Sequence, residues 1–270
     1  PKASYAWLVR FILRLGMVIG WTSVTAMYVA KFSVNQLPIL FLVQALFTIV
    51  GMLLFSFFTE LVSVKKLIVA SALSAATSFF MAGLFHESEK VFFIFSLIGY
   101  GIFLPQVSIF LANYVEDLFS PNEGEKVYPF LESTETIGGI MAGFFLTQMP
   151  LNFGGYKVMY IWVILLCLFI LGLYSLAPNG MAKKSKRSIK VPVKSCVRRG
   201  IGKSIKEIQR VPFLQTLLLV FFIQWIITHL LEFQFTKILE DSVKGSGSAQ
   251  DHAVNLTHSL GSLHLILHSS

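Results

Sequence analysis

The sequence consists largely of uninterrupted apolar runs of about 18 residues or more, separated by short polar turns. A run of that length crosses the hydrocarbon core of a bilayer as an α-helix, whereas the strands of a membrane barrel are about 10 residues long and alternate in polarity. Charged residues make up only 13% of the chain. Because a soluble domain carries about 25%, the sequence predicts an all-α integral membrane protein.

Seven such runs predict seven membrane-spanning helices, at residues 7–30, 37–58, 67–85, 91–112, 128–149, 158–177 and 213–231. The first six form an amino-terminal six-helix half at 1–178, and a strongly basic linker follows at 179–211. The seventh helix, within 212–240, begins a second half, and 241–270 is either a flexible tail or a truncated eighth helix. The absence of an initial methionine and the apolar run at the end favour a fragment of a longer protein.

The fifth run, YPFLESTETIGGIMAGFFLTQM, carries two carboxylates, Glu132 and Glu135. Three residues apart on a helix, they share one face. A charge at the bilayer centre costs about 2.5–3.5 kcal/mol on insertion scales, so an acid there indicates a functional site. For Glu132 a solute pathway and a capping role at the membrane interface are equally good interpretations. Glu135 lies one turn deeper, which favours a substrate or ion pathway.

Gly139 and Gly143 continue the Glu135 stripe in steps of four. Glycines at this spacing let a neighbouring helix approach closely. We therefore assign both of them to helix packing.

Two further polar residues lie inside the apolar runs of the first half. Gln106 follows Pro105 in the fourth run. A proline inside a span kinks it and frees a backbone carbonyl, so Gln106 either lines a cavity or makes an interhelical hydrogen bond. Arg14 in the first run either snorkels to the interface or points into a cavity.

The seventh run carries a second polar stripe, since Gln224, Thr228 and Glu232 fall at steps of four and His229 lies beside them. The stripe is a second candidate pathway; alternatively, Glu232 and His229 mark the outer boundary of the membrane. The histidines of the tail show no spacing typical of a metal site. Without a nucleophile motif, phosphate loop or cofactor motif, the sequence predicts no enzyme and no cofactor.

The basic linker supplies the excess of positive charge behind the net charge of +8. It lies between membrane spans and lacks stacking aromatics, so we expect no nucleic acid partner. The positive-inside rule places it in the cytoplasm, where it can attract anionic lipid headgroups. Alternation of the spans then places the amino terminus there too, in a multi-pass protein of a bacterial-type inner membrane or a plasma membrane.

Six spans, a long basic loop and a new span resemble the middle of a 12-helix transporter of the major facilitator superfamily. The turn SFFTELVSVKK is similar to that superfamily's G-x-L-x-D-R-x-G-R-K turn. The resemblance implies a gating turn with Glu60 at its acidic position and Lys65 and Lys66 at its basic end. The segment 137–139, Ile-Gly-Gly, also resembles the glycine pair of the fifth-helix antiporter motif.

The end of the seventh run, LEFQFTK at 231–237, is similar to the start of the second half in the ATP/ADP translocase-like branch of bacteria and plastids. This resemblance implies a nucleotide or similar anionic metabolite as solute, with Glu232, Gln234 and Lys237 at the mouth of the pathway. We therefore expect a secondary transporter of a small solute that works by alternating access. The alternative is a membrane scaffold or interaction protein that retains the transporter fold without transporting.

Overall fold

The structure, a computed structural model, describes residues 2–59, 62–148, 156–176 and 211–243, and the regular elements in these ranges are all helical. The α-helices are α1 (Lys2–Phe32), α2 (Leu37–Phe58), α3 (Val64–Leu84), α4 (Glu89–Leu97), α5 (Leu104–Glu116), α6 (Pro121–Thr147), α7 (Lys157–Leu176) and α8 (Pro212–Val243). A 3₁₀ turn, Val34–Gln36, joins α1 to α2, and a π-helical segment, Ile98–Phe103, joins α4 to α5. The prediction of an all-α membrane protein is confirmed.

Six helical stretches among the described residues are long and apolar enough to cross a membrane: Lys2–Phe32, Val34–Ser56, Val64–Leu84, Glu89–Glu116, Lys157–Ser175 and Gln215–Ile238. They correspond to six of the seven predicted spans. The fifth predicted span lies in α6, which is not in this set because the polar sequence ESTET at 132–136 lowers its hydropathy. At 27 residues, α6 is still about 40 Å long and exceeds the ~30 Å hydrocarbon core.

The helix that carries the fifth predicted span begins before residue 128, at Pro121. Ser120 is its N-cap, and Glu123 Oε2 accepts hydrogen bonds from the Ser120 backbone N–H at 3.0 Å and from the Ser120 hydroxyl at 2.9 Å. Pro121 fits the first turn because the backbone N–H groups there have no carbonyl partner within the helix, so the N–H that proline lacks is not needed. The sequence Ser-Pro-Asn-Glu at 120–123 is therefore a helix start with a capping box.

Helices of the first half meet at an aromatic cluster formed by Trp21, Phe79, Tyr100 and Trp162. The Trp162 indole of α7 is fully buried and stacks on Phe79 of α3 with ring centroids 3.7 Å apart. Tyr100 of the π-helical segment contacts Trp162 and stacks on Trp21 of α1 at 4.1 Å. The cluster therefore joins α1, α3, α7 and the middle of the fourth span.

The fourth span changes from α- to π-helix at Ile98–Phe103, directly before Pro105. Because proline has no N–H to donate, it interrupts the regular hydrogen-bond ladder, and a π-helical turn is one way to accommodate it. α2 comes so close here that a Cβ on Gly51 would lie 2.6 Å from the Ile102 carbonyl oxygen. Since that atom is backbone, only glycine fits at position 51 without a shift of one helix.

The chain divides into two compact units, Pro1–Leu176 with Ile238–Ser270, and Ala177–Lys237. Taken by itself, α8 exposes most of its large apolar side chains, as a helix suited to a bilayer does. The predicted linker and tail lie almost entirely outside the described residues. The domain boundaries proposed from the sequence therefore stay predictions.

Candidate functional site

Glu132 and Glu135 lie near the middle of α6. Glu135 is one residue past the midpoint of this 27-residue helix, and Glu132 is two residues before it. The cap of α6 is formed by Ser120 and Glu123, roughly three turns earlier. A capping role for Glu132 is therefore excluded, and both acids need another explanation for their depth.

Each acid meets an arginine of α1. Arg10 Nη2 donates a hydrogen bond to Glu132 Oε1 at 2.9 Å. One turn further along both helices, Arg14 Nε lies 2.9 Å from Glu135 Oε2. We call these two ion pairs the charge ladder. Arg14 lies three residues before the midpoint of the 31-residue α1.

Neighbouring contacts fix the register between α1 and α6. The Trp7 indole N–H donates to Ser133 Oγ at 2.9 Å, and the Trp7 ring stacks on Phe130. One turn beyond Glu135, a Cβ on Gly138 would lie 2.9 Å from Arg14 Cγ. The aliphatic part of the Arg14 side chain therefore packs on α6 at a position that has no side chain. These contacts hold each arginine opposite its own acid.

The side chains of the charge ladder are partly exposed. Arg10 and Glu132 side chains are 18% and 63% exposed, and Arg14 and Glu135 side chains are 29% and 45% exposed. Pairing opposite charges offsets part of the cost of placing each one inside a membrane. Inside a membrane, acids as exposed as these are stable only where they face water or another polar surface.

Gln106 of α5 is buried, and its Nε2 finds no hydrogen-bond partner among the described residues. The same holds for the buried Oε1 of Gln44 in α2. A buried amide left unsatisfied costs about 1–3 kcal/mol. The assignment of Gln106 to the pathway stays a prediction, and Gln44 joins it as a residue of the same kind.

The polar stripe of α8 makes contacts along its own helix. His229 Nδ1 lies 3.3 Å from Glu232 Oε2, and the Trp225 ring meets the imidazole edge-on at 4.3 Å between centroids. Thr228 donates to the Gln224 carbonyl at 2.9 Å. These residues belong to the second compact unit, so a joint site of α6 and α8 side chains stays a prediction.

The predicted gating turn is described only in part. Lys65 Nζ lies 4.8 Å from the centre of the Tyr174 ring, a cation–π contact that joins the start of α3 to the end of α7. Lys66 is exposed beside it, and Glu60 lies outside the described residues. The gating role stays a prediction.

Gly139 and Gly143, the glycines predicted to pack, are both buried. The glycine of α6 at which an added Cβ would meet α1, however, is Gly138, 2.9 Å from Arg14 Cγ. Sequence reasoning also missed the ion pair between Arg10 and Glu132. The spacing of the charged residues could have revealed this ion pair. Arg10 and Arg14 are four residues apart and the two acids three apart, so the arginines share one face of α1 and the acids share one face of α6.

Among the described residues no group of three His, Cys, Asp or Glu side chains is placed to hold a metal ion. Cys167 is exposed on α7, and Cys196 lies outside the described residues.

The six apolar helical stretches of membrane-spanning length define a multi-pass membrane protein. The family model of the Major Facilitator Superfamily matches residues 6–249 of the 270-residue chain. The protein therefore belongs to this superfamily of membrane transporters, and the alternative of a non-transporting scaffold is not favoured. Comparison with curated proteins and comparison with solved structures give no match.

Proposed function

We propose that this protein is a secondary transporter that moves a small solute by alternating access, with the charge ladder in its pathway. The observation that carries the proposal is the Arg14–Glu135 pair, which lies near the midpoints of two long helices in a superfamily whose fold binds solutes near the bilayer midplane. Charged groups inside membrane spans usually face the bundle interior or a water-filled cavity. The Arg14–Glu135 pair keeps its carboxylate 45% exposed.

We propose that the solute is anionic or nucleotide-like. The two arginines of α1 support this, because a guanidinium offers a planar fork that matches carboxylate and phosphate groups. The similarity of 231–237 to the translocase-like branch supports it independently. Gln106, Gln224, Thr228 and Glu232 are the further pathway residues in this proposal, and Glu60, Lys65 and Lys66 form its gating turn.

The proposed orientation places the amino terminus and the basic linker in the cytoplasm, in a bacterial-type inner membrane or a plasma membrane. Its support is the positive-inside rule. In this orientation the linker meets anionic lipid headgroups, the bilayer and the solute are the partners, and no nucleic acid is bound.

The test is uptake by the purified full chain in proteoliposomes, against a panel of nucleotides and other metabolites, with and without a proton gradient. Glu135→Gln should lower gradient-driven uptake at least about tenfold, because it removes the charge paired with Arg14. Glu89→Gln is the matched control, since Glu89 pairs with Lys31 at the other end of α1. If the uptake rate of Glu135→Gln and its dependence on pH were the same as in the wild type, Glu135 would be removed from the mechanism.

A further inference from the structure

One stripe of α1 links the charge ladder to the aromatic cluster of the first half. Arg14, Met17 and Trp21 are spaced by three and four residues, so they share one face of the helix, and each is only partly buried. Arg14 meets Glu135 of α6, whereas Trp21 stacks on Tyr100 of the fourth span. Seven residues separate Arg14 from Trp21, which places them about 10 Å apart along the helix axis.

Trp21 and Tyr100 form what we call the ring platform. Their rings are 10° from parallel, with centroids 4.1 Å apart, and both residues remain partly exposed. The other members of the aromatic cluster, Phe79 and Trp162, are fully buried. The cluster therefore has a buried part that packs helices together and a partly exposed part on which a further planar ring can stack.

An amide acceptor lies beside the ring platform, on Gln44 of α2. The Gln44 backbone carbonyl oxygen is 3.3 Å from the place that a Cβ would take on Gly101, the residue after Tyr100. Phe41, one turn earlier in α2, meets Trp21 with ring centroids 6.5 Å apart. The side-chain Oε1 of Gln44 is buried and accepts no hydrogen bond from the described part of the chain. Because an acceptor without a donor is costly to bury, a ligand N–H that reaches this oxygen is favoured.

We infer that the ring platform and Gln44 form a base site, which binds the amino-bearing base of a nucleotide whose phosphate lies at Arg14. Every base has a π-face, so stacking on the platform accepts any base. Gln44 Oε1 then selects a base whose amino group projects from the ring edge and donates to it.

The distance along α1 suits a nucleoside monophosphate. Its ribose separates the base from the phosphate, as about 10 Å of helix separates Trp21 from Arg14. The Arg14 guanidinium has five N–H donors, so it can bind a phosphate without leaving Glu135. The base site rests on the proposed function, which supplies the anionic solute, and it adds the part of the solute that decides specificity.

The experiment measures uptake by the full chain in proteoliposomes for solutes that differ by one group. AMP and CMP carry the amino group, and purine riboside 5′-monophosphate is AMP without it. Ribose 5-phosphate lacks the base, and adenosine lacks the phosphate. The wild-type protein should take up AMP or CMP at least about tenfold faster than ribose 5-phosphate and adenosine. AMP should exceed purine riboside 5′-monophosphate about tenfold, because only AMP offers Gln44 an amino N–H.

Variants separate recognition of the base from packing. In Trp21→Leu the ratio of AMP uptake to ribose 5-phosphate uptake should fall at least about tenfold, because the platform is lost. In Gln44→Leu the preference for AMP over purine riboside 5′-monophosphate should disappear. A change that only disturbed packing would lower the uptake of all these solutes alike and leave both ratios unchanged.

Tyr28→Leu is the matched control. Tyr28 lies seven residues beyond Trp21 on α1 and also contacts the fourth span, through the Phe93 ring at 5.3 Å between centroids. It is outside the base site, so both uptake ratios should match those of the wild type. Thermal unfolding of each purified variant verifies that it is folded, and if Trp21→Leu does not fold, the wild-type ratios and Gln44→Leu decide.

Three results would overturn the base site. One is a wild-type protein that takes up ribose 5-phosphate or purine riboside 5′-monophosphate as fast as AMP and CMP. Another is an unchanged preference for AMP in the folded Trp21→Leu and Gln44→Leu variants. Uptake confined to solutes without a base, such as lactate, is the third, and it leaves the transporter assignment intact. If the folded, correctly oriented wild-type protein takes up no solute at all, the proposed function fails and the base site fails with it.

Discussion

At the level of single residues, the most restrictive contact is the one between Gly20 of α1 and the Trp162 indole of α7. A Cβ on Gly20 would overlap the indole ring, and Trp162 is fully buried and stacks on Phe79. The ring therefore has no free direction in which to retreat. Glycine at position 20 is required for α1 and α7 to pack as they do.

Gly20→Ala should lower the stability of the bundle by about 1–3 kcal/mol, the usual cost of overpacking a core. Thermal unfolding of the purified protein in detergent measures it. The matched control is Gly172→Ala, also at the interface of α1 and α7, where the new methyl would meet only Val9 Cγ2 at 3.1 Å. Equal stability of the two variants would contradict the packing described for Trp162.

The charge ladder shows which part of a site a sequence can reveal. Glu132, Glu135 and Arg14 could be identified without a structure because a charged residue in an apolar run is conspicuous. Their pairing could not, because it depends on the register between two helices more than 100 residues apart, and that register is set by Trp7 and Gly138. Which acid meets which arginine is thus a property of the packed bundle.

At the level of elements, the accuracy of the predicted helix limits depended on recognising the local sequence signals that start and end helices. The spans most uniformly apolar, α2 and α7, were predicted within one residue of their observed ends. The start of α6 was not, because Pro121 and Asn122 suggest a turn when the Ser120–Glu123 capping box is overlooked. The π-helical turn before Pro105 was predicted only as a kink, since sequence alone does not show how α2 packs against it.

The capping box of α6 predicts a specific dependence of stability on pH. The pKa of Glu123 is lowered from its ordinary value of 4.5, because the carboxylate accepts hydrogen bonds from the Ser120 backbone and side chain and lies near Lys2. A pKa that is lower in the folded state means that the cap contributes fully above about pH 4.5. The contribution is lost as the pH falls through the lowered pKa.

Glu123→Gln should therefore destabilise the protein near neutral pH, and the difference from the wild type should shrink as the solution is acidified. Thermal unfolding measured from neutral pH to below about pH 4 follows it. Glu125→Gln is the control, because it removes the same charge two residues along, outside the capping box. A stability difference for Glu123→Gln that did not change with pH would contradict the cap.

At the level of the whole molecule, contacts between helices establish the direction in which each one crosses. Residue numbers rise together where α1 meets α6 and where α2 meets the fourth span, so these pairs are parallel. They run oppositely where α7 meets α1 and α3. The helices of the first half thus alternate in direction, which places Lys65 and Lys66 on the same side as Lys2 and the start of α6.

This alternation makes the proposed orientation testable with two engineered cysteines. Ser63 precedes α3 and Ser88 precedes α4, both are exposed, and the alternation places them on opposite sides of the membrane. In a background with Cys167→Ser and Cys196→Ser, a membrane-impermeant maleimide added to intact cells should label Ser88→Cys. Ser63→Cys should be labelled only after the cells are opened, because the proposed orientation places the turn with Lys65 and Lys66 in the cytoplasm. Labelling in the reverse order would invert the topology, and equal labelling of both in intact cells would contradict the alternation of the helices.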